Sequence, residues 1–145
     1  MAETIRFDTG VKEFTLNDAV TVRFCPTDMN FVETVYRAIE ALDAKQEEYQ
    51  QTLSKLDNGA EVFDFARKID AEIREEINAV FGTDVCTPVF GAMSVYSIAD
   101  GFPVWANLLF AIIDMFDGEF AEQKKKRNPR IQKYVDKYNA SAKRR

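Results

Sequence analysis

The chain has 145 residues, of which 46% are hydrophobic and 30% charged, and its formal net charge is −5. This composition supports one hydrophobic core of ordinary size, so we predict a single globular domain over residues 1–122 followed by a basic tail over 123–145. Asp100 and Asp114 interrupt the longest apolar run, and residues 1–10 lack the basic and apolar regions of a secretory signal. We therefore expect no membrane span and no export, but a cytoplasmic protein.

Residues 1–25 have the alternating pattern of β-strands. Apolar and polar residues alternate in three short segments, which are separated by the turn signals Asp8-Thr9-Gly10 and Asn17-Asp18. We predict a three-stranded antiparallel β-meander whose apolar face packs against helices or adds to another sheet. The alternating apolar residues are Ile5, Phe7, Phe14, Leu16, Val20, Val22 and Phe24.

After Pro26 the apolar spacing changes from two residues to three or four, which predicts a helical hairpin over residues 27–81. We expect Thr27 or Asp28 to cap the first helix, which ends near Leu56. The turn Asp57-Asn58-Gly59 then leads into a second helix from about residue 60 to 81. The first helix carries an apolar seam broken only by Gln46: Val32, Val35, Ile39, Leu42, Gln46, Tyr49, Leu53 and Leu56.

This seam has two interpretations. The two helices can pack on each other in the core of a monomer, or the seam can extend beyond the body and pair with a second copy or a helical client.

Residues 83–118 are predicted to form a short helix and then an apolar helix that contains Trp105. Val80-Phe81-Gly82 and Val89-Phe90-Gly91 each place a large apolar side chain before a glycine, a pattern typical of helix ends. Pro103 suits the first position of the apolar helix, and Gly118 is predicted to close it. We expect Phe81, Phe90 and Trp105 to be among the most buried side chains.

The last 23 residues are strongly basic. They contain ten lysines and arginines against the single acid Asp136, a net charge of +9, which leaves −14 for residues 1–122. Asn128 and Pro129 predict the start of a last helix with the apolar stripe Ile131, Tyr134, Val135 and Tyr138. This tail can lie free in solvent, dock on the acidic body or on an acidic partner, or contact nucleic acid. Nucleic acid is the least supported partner, because no RNA-binding or DNA-binding motif accompanies the basic residues.

No pattern in the sequence predicts an enzyme. The chain has no histidine, and its six glycines form no phosphate-binding loop. Cys25 and Cys86 lie far apart without metal-ligand spacing, which indicates buried free thiols. We therefore expect a binding protein without catalytic residues, cofactor or metal.

Three motifs resemble a known family. They are the paired Val-Phe-Gly triplets around Cys86, the segment Ala99-Asp100-Gly101-Phe102-Pro103-Val104-Trp105-Ala106-Asn107, and the segment Arg127-Asn128-Pro129-Arg130-Ile131-Gln132-Lys133-Tyr134 followed by Lys137-Tyr138. In these motifs the chain resembles the tail assembly chaperone-like proteins of long-tailed phages and prophages of gut Firmicutes. The resemblance implies a protein that binds apolar helices of the tape measure protein and helps to recruit tail tube subunits in the cytoplasm of the bacterial host.

The predicted partner-binding residues lie on the seam and on the tail. We expect a client helix to lie beside the seam, in contact with Leu42, Tyr49 and Leu53, and the basic tail to steer the client's approach. The tail residues in this hypothesis are Arg130, Lys133, Tyr134, Lys137 and Tyr138. The alternative function is a small acidic phage-encoded inhibitor or adaptor that binds a basic surface of a host protein.

Overall fold

The computed structural model describes residues 1–126 and 130–143, and side chains up to residue 141. The fold is mainly α, with two small pairs of antiparallel strands, which confirms the predicted class. In chain order the elements are β1 (Lys12–Leu16), β2 (Val20–Phe24), α1 (Met29–Leu53), α2 (Gly59–Phe81), α3 (Cys86–Phe90), β3 (Ile98–Ala99), β4 (Phe102–Pro103), α4 (Val104–Lys125) and α5 (Arg130–Lys143).

The N-terminal sheet has two strands, where the alternation predicted three. β1 and β2 pair in a hairpin in which Phe14 lies opposite Val22. Asn17 and Asp18 form its turn at φ of 50° and 55°, which these two residue types tolerate. The first predicted strand was wrong: Ile5 and Phe7 are 87% and 80% exposed. Two apolar side chains on a short segment offer too little area to offset the entropy of ordering it as a strand.

The helical hairpin forms as the change in apolar spacing predicts. The Asp28 carboxylate caps α1 by accepting a hydrogen bond from the Asn30 amide at 3.0 Å, and the Asn58 side chain caps α2 by accepting from the Ala60 amide at 2.9 Å. α2 ends at Gly82, which adopts the left-handed conformation at φ of 70°. The paired helices place their apolar faces toward each other and toward α4.

A cluster of phenylalanines joins the β1–β2 hairpin to the helices. The Phe24 ring stacks on Phe14 and Phe31, with ring centroids 4.7 and 4.5 Å apart. Phe116 on α4 meets Phe24 and Phe31 edge to face, at 6.2 and 5.8 Å. Because edge-to-face and offset stacking are the favoured geometries of aromatic pairs, this cluster fixes the hairpin against α1 and α4.

Of the three aromatic side chains predicted to be among the most buried, one has this position. Trp105 is buried, and its indole N–H donates to the Gln46 side chain at 2.8 Å, which explains the polar residue in the α1 seam. Phe81 and Phe90 are only partly buried, so the prediction that they rank among the most buried side chains was wrong. Both lie at the ends of helices, where fewer neighbours can surround a large ring.

A second hairpin precedes α4. Ala99 pairs with Phe102 around a two-residue turn in which Asp100 and Gly101 both have positive φ, at 55° and 82°. This is the Asp-Gly type of tight β-turn. Pro103 is therefore the residue just before α4, and the helix begins at Val104 rather than at the proline.

Gly118 does not end α4, contrary to the prediction. The helix runs to Lys125, and Lys12 on β1 forms a 2.9 Å salt bridge with Glu119, one residue beyond the glycine. The residues after Gly118 include good helix formers, and Lys124 and Lys125 in the last turn favour the negative end of the helix dipole. The helix propensity of these residues and the favourable charges in the last turn thus outweigh the free-energy cost of one glycine within the helix.

Replacing Gly118 by alanine is expected to stabilise the protein by about 0.5–1 kcal/mol, because alanine loses less backbone entropy in a helix than glycine. Apart from its two chain neighbours and the backbone of its own helix, no atom lies within 4 Å of the position that its Cβ would occupy. Thermal or denaturant unfolding measures the change. Gly82→Ala is the control: it is expected to destabilise, since Gly82 has a φ of +70°. A lower stability of Gly118→Ala would contradict a regular helix at this position.

The tail helix α5 stands apart from the core. Every described side chain from Arg130 to Ser141 is exposed, including the apolar stripe of Ile131, Tyr134, Val135 and Tyr138. The predicted start signals Asn128 and Pro129 lie outside the described residues.

Candidate binding surfaces

One open groove of the body is mainly apolar, and we call it the apolar groove. It has a volume of about 530 Å³ and lies between β1, α3 and α4. Leu16 and Ile112 are the buried residues of its lining, while Met93 and Ala111 are exposed. The lining residues are Phe14, Thr15, Leu16, Asn17, Val89, Phe90, Met93, Val104, Asn107, Leu108, Ala111, Ile112 and Met115.

Two side chains of α2, Asp70 and Arg74, hold one side of the apolar groove, and we call this pair the polar clamp. Arg74 donates from its guanidinium to the carbonyls of Gly91 and Met93, each at 2.7 Å. Asp70 accepts from Arg74 at 2.9 Å and from the backbone N–H of Val95 at 2.8 Å. Two side chains one helical turn apart therefore fix the loop after α3, which has little regular structure of its own.

A second set of polar contacts fixes the start of α3. The Asn78 side chain accepts from the backbone amides of Val85 and Cys86, at 2.9 and 3.1 Å. Asp84 accepts from the Thr87 amide at 3.1 Å, and its hydrogen bonds to Thr87 lower the pKa of its carboxyl. α3 is only five residues long and has few hydrogen bonds of its own. These side-chain contacts at its start therefore hold Phe90 beside the apolar groove.

The residues predicted on the α1 seam occupy three different environments. Leu42 is completely buried in the core, where this conformation leaves it no exposed surface for a partner. Tyr49 packs edge to face on Phe65, and its hydroxyl group donates a hydrogen bond to the Glu72 carboxylate. Burial and this carboxylate raise the pKa of Tyr49. Leu53 is partly buried against the core. The seam is thus largely used by packing within the chain, because α2 and α4 cover it.

A second groove lies between α1 and α4, and we call it the acidic groove. It has a volume of about 630 Å³. Glu40, Asp43 and Glu47 are exposed along its α1 side, and the aromatic side chains Trp105, Phe102 and Phe110 lie on the other side. None of the three acids forms a salt bridge with another described residue. The remaining lining residues are Ile39, Gln46, Gln50, Pro103 and Ala106.

The predicted tail residues all lie on α5 and are exposed: Arg130, Lys133, Tyr134, Lys137 and Tyr138. The Arg130 guanidinium donates to the Tyr134 hydroxyl at 3.4 Å, which lowers the pKa of that tyrosine. The structure places these residues and the α1 seam on separate elements and does not bring them together into one site.

The cysteines have the environment of structural thiols. Both are free; Cys86 is buried and Cys25 is partly buried. Burial raises the pKa of the Cys86 thiol to about 11, so its reactive thiolate form is disfavoured at neutral pH. Within residues 1–126 and 130–143, no cluster of three metal-ligating side chains forms, and no helix is long and apolar enough to cross a membrane.

Two sequence motifs contain residues that line the apolar groove, although the sequence did not predict the groove itself. The second Val-Phe-Gly triplet contributes Val89 and Phe90 to its lining, and the segment before α4 contributes Val104 and Asn107. The contribution of β1 was not foreseen, since strand alternation indicates an apolar face but not which helices cover it.

Comparisons of the chain with family profiles, with curated protein sequences and with solved structures find no significant match.

Proposed function

We propose that this protein is a phage tail assembly chaperone-like protein that holds an apolar helix of the tape measure protein in the apolar groove. It helps to recruit tail tube subunits while the client is bound, and it acts in the cytoplasm of the bacterial host. The apolar groove is the observation that carries this proposal. Two of the three motifs that resemble this family contribute residues to its lining.

A passive chaperone needs apolar area rather than reactive groups. Covering apolar surface contributes about 25 cal/mol per Å², and an amphipathic helix presents one side chain per turn to such a groove. The volume of about 530 Å³ is that of a pocket that accepts several side chains. Thr15, Asn17 and Asn107 add polar groups to the lining, which can fix the direction of the bound helix.

The proposed client site differs from the one expected from the sequence. The α1 seam is covered by the chain's own helices, whereas Met93 and Ala111 of the apolar groove remain exposed. A client helix therefore has more free apolar surface at the apolar groove than beside Leu42.

The test is co-expression of the full chain with overlapping fragments of the tape measure protein from the same phage or prophage, followed by pull-down. We expect one or more apolar helical fragments to be recovered. Met93→Asp is expected to reduce recovery about tenfold or more, because it places a charge in the apolar contact. Ala111→Asp is expected to act in the same direction.

The matched controls change the same residue types outside the groove. Met93 is 46% exposed and Met29, on the first turn of α1, is 64% exposed, so Met29→Asp makes the same chemical change at a surface site. Ala71→Asp on α2 matches Ala111→Asp. Equal recovery with Met93→Asp and Met29→Asp would overturn the groove as the client site. Capture of a host protein instead of any tape measure fragment would favour the inhibitor or adaptor function.

A further inference from the structure

The exposed helix α5 has a basic flank beside an apolar stripe. Ile131, Tyr134, Val135 and Tyr138 lie on one face by helical spacing, and Arg130, Lys133 and Lys137 follow one side of that face. The opposite side carries Gln132 and Asp136, which are hydrogen-bonded to each other at 2.8 Å. Nothing within the described part of the chain covers this apolar stripe, since each of its side chains is exposed.

The acidic groove has the complementary arrangement. Its α1 side presents Glu40, Asp43 and Glu47, and its other side presents the half-exposed ring of Phe102 beside the partly buried Phe110. A helix that lies in this groove meets carboxylates along one flank and aromatic surface on its face. That is the pattern of α5 with the signs of charge reversed.

The spacing of the charges also matches. The acids occupy positions i, i+3 and i+7 of α1, and the bases occupy positions i, i+3 and i+7 of α5. Along either helix axis the successive charges are therefore about 4.5 and 6 Å apart. When the two helices run parallel, Lys133 faces Asp43 and Lys137 faces Glu47 in the same register.

We propose that α5 docks in the acidic groove of a second copy of this chain, so that the protein self-associates through reciprocal exchange of its basic helix. Each copy then contributes one helix and one groove, and the two contacts are related by two-fold symmetry. The apolar stripe covers the aromatic side of the groove while the lysines pair with the carboxylates. This inference does not depend on the proposed client, because the apolar groove takes no part in the contact.

The length of α4 favours a second copy over the same chain. From Phe110, at the acidic groove, α4 runs about 22 Å to Lys125, and α5 is about 21 Å long. If α5 folded straight back along α4, only its C-terminal end would reach Phe110. Its apolar stripe would then lie over the second half of α4, away from Phe102 and the α1 acids.

Zero-length carbodiimide coupling tests which chain supplies α5. Equal amounts of the full chain with natural nitrogen and with ¹⁵N are mixed, equilibrated and coupled, and the peptides are identified by mass spectrometry. We expect links from Lys133 or Lys137 to Asp43 or Glu47, with mixed-isotope pairs as abundant as same-isotope pairs. Links found only in same-isotope pairs would mean docking within one chain and would overturn the proposal.

Charge reversal tests whether these groups drive the association, which sedimentation velocity measures at low salt over a range of concentrations. Reversing the lysines in Lys133→Glu/Lys137→Glu is expected to weaken the dimer about tenfold or more, and so is reversing the two acids that face them in Asp43→Lys/Glu47→Lys. Combining the two sets in one chain is expected to restore dimerisation. The control Asp64→Lys/Glu75→Lys makes the same change of net charge as Asp43→Lys/Glu47→Lys, at exposed positions of α2.

Two results would refute the exchange. One is a parent protein that stays monomeric at every concentration without any of the expected cross-links. The other is a combined variant that dissociates as readily as the separate ones, since matched pairs must recover when both signs are exchanged.

Discussion

Replacing Phe116 by alanine is expected to lower the free energy of unfolding by about 3–5 kcal/mol, the usual cost of deleting a buried phenylalanine ring. Phe116 is 2% exposed and contacts the rings of Phe24 and Phe31, so the truncation leaves a cavity where β2, α1 and α4 meet. Denaturant unfolding followed by circular dichroism measures the loss.

Phe63→Ala is the matched control for this prediction. Phe63 lies on α2 and is 64% exposed, so its replacement is expected to change the free energy of unfolding by no more than about 0.5 kcal/mol. Similar losses in the two variants would show that the Phe24–Phe31–Phe116 cluster does not join the hairpin to the helices.

The helical hairpin was predictable because its evidence is local. Apolar spacing of three and four residues, Asp28 before α1 and Asn58 before α2 each act within one or two helical turns. The errors in the fold arose where local signals compete with tertiary contacts. Gly118 resembles a helix end in sequence, but the helix continues past it and is joined to β1 through Glu119.

The depth of burial was less predictable than secondary structure. Phe81 and Phe90 are large and apolar, yet a residue at a helix end has fewer neighbours than one in the middle of a packed helix. Leu42 was expected to contact a partner and is instead fully buried. An apolar seam has the same sequence pattern whether the chain's own helices or another protein covers it.

The candidate surfaces were predictable only in part. The Val-Phe-Gly motif and the segment before α4 contain residues of the apolar groove, but the groove arises from the approach of β1, α3 and α4, which are distant in sequence. The role of Gln46 depends on a hydrogen bond with Trp105, 59 residues away, and no local pattern indicates that pair. Long-range contacts of this kind decide the shape of both grooves.

Replacing Asp70 by alanine is expected to lower the free energy of unfolding by about 2–3 kcal/mol. The substitution removes the acceptor of the Val95 backbone N–H and the carboxylate that orients Arg74. Asp70→Asn is expected to cost less, because its side-chain oxygen can still accept from Val95 although the charge on Arg74 loses its partner. Thermal and denaturant unfolding measure both variants.

The position of Asp70 also connects stability to the apolar groove. Arg74 holds the carbonyls of Gly91 and Met93. Without Asp70 this arginine holds that side of the apolar groove less firmly, so client recovery is expected to fall with Asp70→Ala.

Asp64→Ala is the control, since Asp64 is exposed on the same helix and pairs only with the exposed Arg67 among the described residues. Its expected effect is below about 0.5 kcal/mol, as for other surface ion pairs. Equal losses for Asp70→Ala and Asp64→Ala would show that the clamp does not fix the loop, and the groove would then owe its shape to apolar packing alone.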